Sequence, residues 1–590
     1  MYRFHSAAVA AAVIFLTACG GDSVSPAGNN NNPPPPPPPP AAAISAIELS
    51  PATAQVVVGQ TRALVAKPRD VAGTELTGRP LTWTSSAGSI ATVDANGIVT
   101  GVSAGTATIS VQGEGKTANA AITVNAAGVP VATVTVSPAL DTVEAYDPKT
   151  LTAVLRDAQN NVLTGRVVRW TSSNTAVATI DSVTGALLGI DRGTVTITAT
   201  SEAKTGAVSR VIVIKYRGIS SGSMHACDIA SGGFVWCWGL NGREGRIGSA
   251  TLGDSAMSTT PVLVPNTGWN ALRFAQLSSY GNHTCGITVD AKAYCWGNNN
   301  WGQLGAGSNA SQSNVPVLVA GNLSFAQVSA GADHSCGVTT DARAFCWGHN
   351  DWRQFASATP GLSTSPVQVA GGMTFTSITA GSGFTCAVAT SAAGYCWGAS
   401  GLGQLGDGSK ISYGNTFSAT PLAVASTSTL RTIEAGLSYA CALASNGQAL
   451  CWGGNGGRLG NGPTGTDSST PVAVSGGQTF TSLSTGNGFS CAVATDAALW
   501  CWGSNDNGQL GVSAPFATSP VRSAGSLRVA EVSTSGVSTG YGRHTCTIAA
   551  DRLTTYCFGR NETAQLGNGA TTTATAVNST PTIVVGQKPL

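Results

Sequence analysis

Charge is scarce in this chain. Lys and Arg number 30 and Asp and Glu 28 in 590 residues, 10% together, with a net charge of +2. No basic run breaks that balance, so the electrostatic footprint of a nucleic-acid-binding protein is missing. No stretch sustains a 3.6-residue apolar period, which leaves little room for helix. The apolar run from Ala7 to Leu16 is too short to span a bilayer. No His-Glu-x-x-His zinc motif and no phosphate-cradling P-loop occurs. No residue is assigned as catalytic or metal-binding, and no cofactor is implied.

Cysteine is absent between Cys19 and Cys227. Ahead of that gap, Arg3 and the short apolar run have the form of an export signal. The run ends in Leu16-Thr17-Ala18-Cys19, which resembles a bacterial lipobox. That resemblance implies a signal peptide over residues 1–18 and a lipid on Cys19, the one cysteine without a partner. Gly20, rather than Asp, follows it, which points to the outer membrane or cell surface. Residues 19–43 hold Asn29 to Asn32 and Pro33 to Pro40, with nothing to bury. The proline run reads as an extended spacer of about 25 Å, at roughly 3.1 Å per residue.

Residues 44–126 and 131–214 align with each other. Leu81 to Val111 matches Val168 to Ala199, each with one Trp (Trp83, Trp170) before a Thr-Ser-Ser turn and each with alternating β-branched residues near its end. Short alternating strands with turn signals predict a β-sandwich for each copy, with both tryptophans in the core. Each copy opens on a strand ending in Ser-Pro (Ser50-Pro51, Ser137-Pro138). These segments resemble the group-2 bacterial immunoglobulin-like domains of surface proteins and adhesins.

From residue 215 to 590 the chain repeats sevenfold. Its cysteines fall in seven pairs: Cys227 and Cys237, Cys285 and Cys295, Cys336 and Cys346, Cys386 and Cys396, Cys441 and Cys451, Cys491 and Cys501, Cys546 and Cys557. Six pairs are ten positions apart and the last eleven. A Trp-Gly follows most second cysteines, then Gly-Gln-Leu-Gly in several units (Gly302 to Gly305, Gly403 to Gly406, Gly508 to Gly511) and a Pro-Val strand. Four short strands per unit, seven times over, predict a propeller. The motif resembles the regulator-of-chromosome-condensation repeat, from which the first unit departs at "GREGRIG" and the third at "DWRQFA". The fold is therefore expected to be all-β: two tandem immunoglobulin-like β-sandwiches followed by a seven-bladed β-propeller.

Each cysteine pair spans a hairpin whose ends are directly opposed, within disulfide reach. An exported chain meets oxidising conditions, and metal knuckles favour tighter spacing, so disulfides are expected rather than zinc. The first unit follows the second immunoglobulin-like segment without a Pro-Val strand, while the chain ends on a spare one, Ser579 to Val585. That strand is expected to complete the blade begun near Ile219 and so close the ring.

Two residue sets are candidates for ligand contact. His225, His283, His334 and His544 stand two residues before the first cysteine in four units that adjoin in a closed ring; Phe384, Tyr439 and Phe489 hold the place elsewhere. The arc reads either as a metal or anion site near the axis or as a packing position for any flat ring. Trp238, Trp296, Trp347, Trp397, Trp452 and Trp502, with Phe558, recur in register as inter-blade packing. Trp301 and Trp352 do not recur, and lie in turns of adjacent units, where exposed indoles would offer a platform to a sugar or a protein. Asp506, in an Asn/Asp/Gly turn, needs no ion.

The expected function is that of a non-enzymatic, lipid-anchored surface protein, monomeric, binding an extracellular protein or glycan. A propeller inhibitor of a secreted or periplasmic enzyme such as a β-lactamase is the alternative, and a hydrolase a third. The resemblance also implies guanine-nucleotide exchange on a small GTPase, which a disulfide-stapled exported chain would never meet; fold does not carry function.

Overall fold

The computed structural model describes residues 42–586, apart from 127, 140–141, 250–251, 254–255, 265–271, 410–415, 464, 537–541 and 574–575. The expected signal peptide, the lipid site at Cys19 and the proline spacer lie outside the described residues. The described residues form two compact units, which divide between 129 and 130.

In the first unit the main sheet runs Thr53–Val57, Lys116–Asn125, Gly105–Gly113, Thr82–Ser85, with the first pair parallel. Alternation along Gly105–Gly113 buries Ala107, Ile109 and Val111, the first two against Val56, Ile122 and Val124. Trp83 packs half-buried at the edge of this core, against the turn at Gly97. Gly97 has φ +80°, and a Cβ there would come within 2.6 Å of the indole.

The second sandwich, which opens the second unit, repeats the plan with Thr142–Glu144, Lys204–Val213, Gly193–Ser201 and Arg169–Ser172. Here Trp170 is buried in a core that does not stop at the domain boundary. It continues into Tyr216, Ala230, Trp236 and Ile548 of the propeller. At the joint, Tyr146 meets Phe234 edge-on with centroids 4.7 Å apart, and the Arg273 guanidinium lies 3.7 Å from the Phe234 centroid. Glu144 receives bonds from Arg217 Nη2 (2.6 Å) and Ser231 Oγ (2.9 Å). Burial raises the Glu144 carboxyl, but these two bonds and the Arg217 and Lys215 charges outweigh it and hold it below its usual range. The hairpin of the last blade, one residue longer than the rest, reaches the same place: Tyr216 N donates to Arg552 O at 2.8 Å.

Seven four-stranded antiparallel sheets follow in chain order. The third is representative: Phe325–Ala330 innermost, then His334–Thr339, Ala344–His349 and Leu362–Gln368 outermost. Directly opposed cysteines on the two middle strands form one disulfide per blade. Cys227 is bonded to Cys237, Cys285 to Cys295, Cys336 to Cys346 and Cys386 to Cys396 in the first four blades. In the last three, Cys441 is bonded to Cys451, Cys491 to Cys501 and Cys546 to Cys557. Their Cα atoms lie 4.0–4.1 Å apart, and all fourteen cysteines are fully buried.

The expected closure is corrected. Thr582–Ile583 pairs with Thr555–Gly559 in the seventh blade, so it finishes its own sheet. The first blade draws all four strands from residues 216–263, its outer strand being Met257–Leu263. Each Pro-Val strand belongs to the unit before it, not the unit after, which leaves no strand to be exchanged.

Closure instead rests on two belts of inter-blade hydrogen bonds. In the outer belt each recurring Trp donates to a backbone carbonyl in the glycine-rich loop of the previous blade. Trp347 reaches Gln303 O at 2.9 Å, Trp452 reaches Gln404 O at 3.0 Å, and Trp238 reaches Gln565 O at 3.0 Å across the chain ends. The loop must come close: at Gly305 (φ +66°) a Cβ would lie 2.6 Å from Trp347. In the third loop, where Ala356 takes the place of the closing glycine, it adopts a φ of 52° and is buried beside Trp397. In the inner belt a hydroxyl on the innermost strand of every blade but the fifth accepts from a backbone N–H of the next blade. Examples are Ser278 from Ala330 (3.0 Å), Ser329 from Ala380 (2.9 Å) and Ser533 from Ser221 (2.9 Å).

Candidate functional site

Each histidine of the arc opens the second strand of its blade, and its exposure is 0–1%. Strand alternation turns the ring into the joint with the next blade rather than toward the axis. His225 Nε2 bonds Thr284 Oγ1 (2.8 Å), His283 Nε2 bonds Ser335 Oγ (2.8 Å) and His334 Nε2 bonds Thr385 Oγ1 (2.9 Å). Tyr439 does the same with its hydroxyl, donating to Phe489 O at 2.6 Å. Where Phe384 stands, the corresponding residue of the next blade is Ala440, and both lie in one apolar cluster. His544 is the exception: its next-blade counterpart is Ala226, and neither ring nitrogen has a hydrogen-bond partner. Burial drives His283, His334 and His544 down to about 3 and His225 well below its usual value, so all are neutral.

The ligand-contact expectation for His225, His283, His334 and His544 is therefore corrected. They are inter-blade packing groups, and a neutral, fully enclosed imidazole presents no charge to an anion. Asp333-His334-Ser335 assembles no triad either, since Ser335 Oγ is held by His283 of the previous blade and by Gln303 O. Asp506 pairs with Arg543.

Trp301 and Trp352 lie on adjacent blades, on the face from which the glycine-rich loops project. Trp301 is 40% exposed and packs on His349 of the next blade, centroids 4.4 Å apart. His349 is fixed from its other side by Asp351 Oδ2 at 3.0 Å. That bond lowers the Asp351 carboxyl. Trp352 is half-buried one blade on, where Ala399 replaces His349, and the smaller residue leaves a recess of about 280 Å³ beside the indole. Both indoles are placed by one device: the glutamine two residues later accepts from the Trp backbone N–H, Gln303 at 2.9 Å and Gln354 at 3.0 Å.

Three residues that sequence reasoning missed extend this surface. Leu362, 53% exposed, pairs across the sheet with His349; Phe417, 45% exposed, pairs with Ala399. The Arg353 guanidinium lies 4.8 Å from the Phe417 centroid. The rim of blades two to four thus carries Trp301, Leu362, Trp352 and Phe417, with an arginine among them. The second sandwich meets the propeller at the opposite end of the strands, since its contacts at Ser231 and Phe234 sit at the far hairpin tip of the first blade.

The model for the bacterial Ig-like domain (group 2) matches residues 43–124 and 130–212. Two models of the regulator of chromosome condensation (RCC1) repeat match residues 290–338, and 274–303 with 480–509. Among curated proteins, the probable E3 ubiquitin-protein ligase HERC6 of Homo sapiens is 30% identical over 142 residues, 23% of this chain and 13% of that protein. The ultraviolet-B receptor UVR8 of Arabidopsis thaliana is 30% identical over 131 residues, 22% of this chain and 28% of that one. The chain thus spans under a third of the length of either relative. Among solved structures, Prp20p from Saccharomyces cerevisiae aligns at a TM-score of 0.53 and 17% identity, covering 62% of this chain and 88% of its own. That likeness shows the fold alone. Seven buried disulfides suit an extracellular or otherwise oxidising environment. No helix among the described residues is long and apolar enough to cross a membrane. The chain carries two group-2 bacterial Ig-like domains followed by a propeller of RCC1-type repeats.

Proposed function

We propose that this chain is a non-enzymatic binding protein, displayed outside the cytosol, whose propeller holds a protein partner on the rim of blades two to four. The observation that carries the reading is the contiguity of Trp301, Leu362, Trp352, Arg353 and Phe417 on one face, while the second sandwich meets the propeller at the opposite end of the strands. Large exposed apolar side chains clustered with an arginine match the composition of protein interfaces. Leu362 tips the choice from glycan toward protein, because a sugar platform needs flat rings rather than aliphatic bulk. The lipid anchor expected at Cys19 and the proline spacer would present the head at a membrane surface, with the immunoglobulin-like domains as standoff.

The test uses the full chain immobilised against the secreted and surface proteins of its own cells. A partner should be retained by the wild type and lost, by at least thirtyfold in affinity, with Trp301→Ala plus Phe417→Ala; two central anchors at about 1 kcal/mol or more each give that order. Equal retention by the variant overturns the reading. If the partner is an enzyme, inhibition of its turnover on binding identifies the inhibitor form of the proposal.

A further inference from the structure

The axial channel of the propeller has a cavity of about 220 Å³, lined by residues of all seven innermost strands. Its lining is polar. One layer holds Ser220, Ser278, Ser329, Thr379, Ser484 and Ser533, the hydroxyls of the inner belt. Each accepts from a backbone N–H of the next blade, and all but Ser484, which also bonds Thr534 Oγ1 at 3.0 Å, keep a hydroxyl proton and a lone pair for a guest. In the fifth blade the same position is Glu434. No basic side chain is among the lining residues.

Two further hydroxyls lining the channel have no hydrogen-bond partner although they are enclosed. Tyr280, 6% exposed, leaves its phenolic oxygen unpaired, and Thr485, 5% exposed, leaves Oγ1 unpaired. A buried polar atom without a partner is costly, so its place in a cavity wall marks a contact that a guest would complete.

We propose that the axial channel binds a small organic ammonium cation, with Glu434 as its counter-ion and Tyr280 and Thr485 among its hydroxyl partners. The ammonium group supplies donors to a wall rich in oxygen acceptors, and its charge offsets a carboxylate that has no ionic partner in the channel. Burial alone raises Glu434 to about 8, so without a guest it is a neutral acid at pH 7. The other titratable groups around it are Tyr439 on the adjoining strand, Tyr280 across the channel, and Arg431 on its own strand. The Arg431 guanidinium is turned away to Thr481 O at 2.6 Å. None carries a charge that faces the cavity. Binding a cation therefore ionises Glu434, and its proton leaves to solvent. The inference is independent of the rim, which draws on different residues and a different ligand class.

The experiment is isothermal titration of the full chain with ethanolammonium chloride at pH 7, in phosphate and in MOPS. One site is expected, with release of up to about one proton seen as a buffer-dependent heat. Affinity should rise with pH toward 8 and fall at least tenfold in Glu434→Gln and severalfold in Thr485→Val. Equal affinity in Glu434→Gln, absence of binding at millimolar ligand, or equal heats with potassium chloride in place of the amine would each overturn it. Should Glu434→Gln fold poorly, the proton release and pH dependence of the wild type decide alone.

Discussion

The indole nitrogen of Trp238 donates to the backbone carbonyl of Gln565 at 3.0 Å, joining residues 327 positions apart. The same bond links Trp347 to Gln303 at 2.9 Å within the run of blades. The joint between the chain's last and first blades is therefore built like the others. What a covalent loop does elsewhere is done here by this bond, by the Ser221–Ser533 bond of the inner belt, and by Gly569 N reaching Thr259 O at 2.8 Å.

Trp238→Phe keeps most of the ring's apolar packing and leaves the Gln565 carbonyl buried without its donor. The expected loss is about 1–3 kcal/mol in urea unfolding. Trp347→Phe should cost about the same. A much smaller loss for Trp238 would mean that the closing joint bears less load than the internal ones.

The disulfides should behave as sealed staples. Because all fourteen cysteines are fully buried, a reductant without denaturant should leave them unreduced, and alkylation followed by mass spectrometry should find no free thiol among them. Replacing Cys386 and Cys396 together by Ala should lower stability by at most about 3 kcal/mol, the chain-entropy value for so short a loop. The hairpin is local already, so the loss should fall below that ceiling.

Stability should fall on both sides of neutrality, for opposite reasons. An unfolded histidine takes up a proton near pH 6.5, whereas folded His283, His334 and His544 hold off until about 3. The unfolded chain thus binds more protons in that window, and stability drops as pH falls through it. Glu434 is the reverse: raised from 4.5 to about 8, it makes the folded chain bind more protons between those values, so stability drops as pH rises. Glu531, also raised mainly by burial, acts in the same direction. Urea midpoints at pH 5, 7 and 9 should show a maximum near neutrality, and Glu434→Gln should flatten the alkaline side and steepen the acid side, where the glutamate opposes the histidines.

Glu144→Ala should loosen the second sandwich from the propeller by freeing Arg217 and Ser231. Protease cleavage near residues 213–216 should quicken, with the propeller itself intact. The Glu144 carboxyl is lowered in the folded state, so its contribution is present above its unfolded value and is lost as pH falls through the folded one. Acid should therefore begin to weaken this joint below pH 4.5, the ordinary value for this side chain, and mimic the substitution once the folded carboxyl itself is protonated.

How much of this was legible in the sequence depends on the range of the contact. Cysteine pairs ten apart are set by a hairpin's own rungs, so each bond, from Cys227 with Cys237 to Cys546 with Cys557, follows from local geometry. The paired Trp170 and Trp83 show where local reading weakens: the same motif, with the same turn glycine against each indole, buries one and leaves the other half-buried. The Pro-Val strand could be assigned to the unit before it or after it, and spacing alone does not choose; hence the misplaced closure. The histidine position was recognisable as a place for a flat ring, but whether it faced the axis or the joint depends on how blades pack. Leu362 and Phe417 left no trace, since exposure at the first rung of an outer strand is a tertiary property. Glu434 did leave one: aligning the innermost strands puts Ser or Thr in that column in every other unit.

The central claim is that the rim of blades two to four is where a protein partner sits. Its most direct test is site-specific photo-crosslinking in the full chain, with benzoylphenylalanine in place of Leu362 on the rim or of Val289, which is exposed just past the far end of its strand. The account predicts a discrete crosslinked partner from position 362, absent when Trp301→Ala and Phe417→Ala are added, and none from position 289. Crosslinking of the same partner from position 289 alone, or from both positions regardless of the rim substitutions, would contradict it.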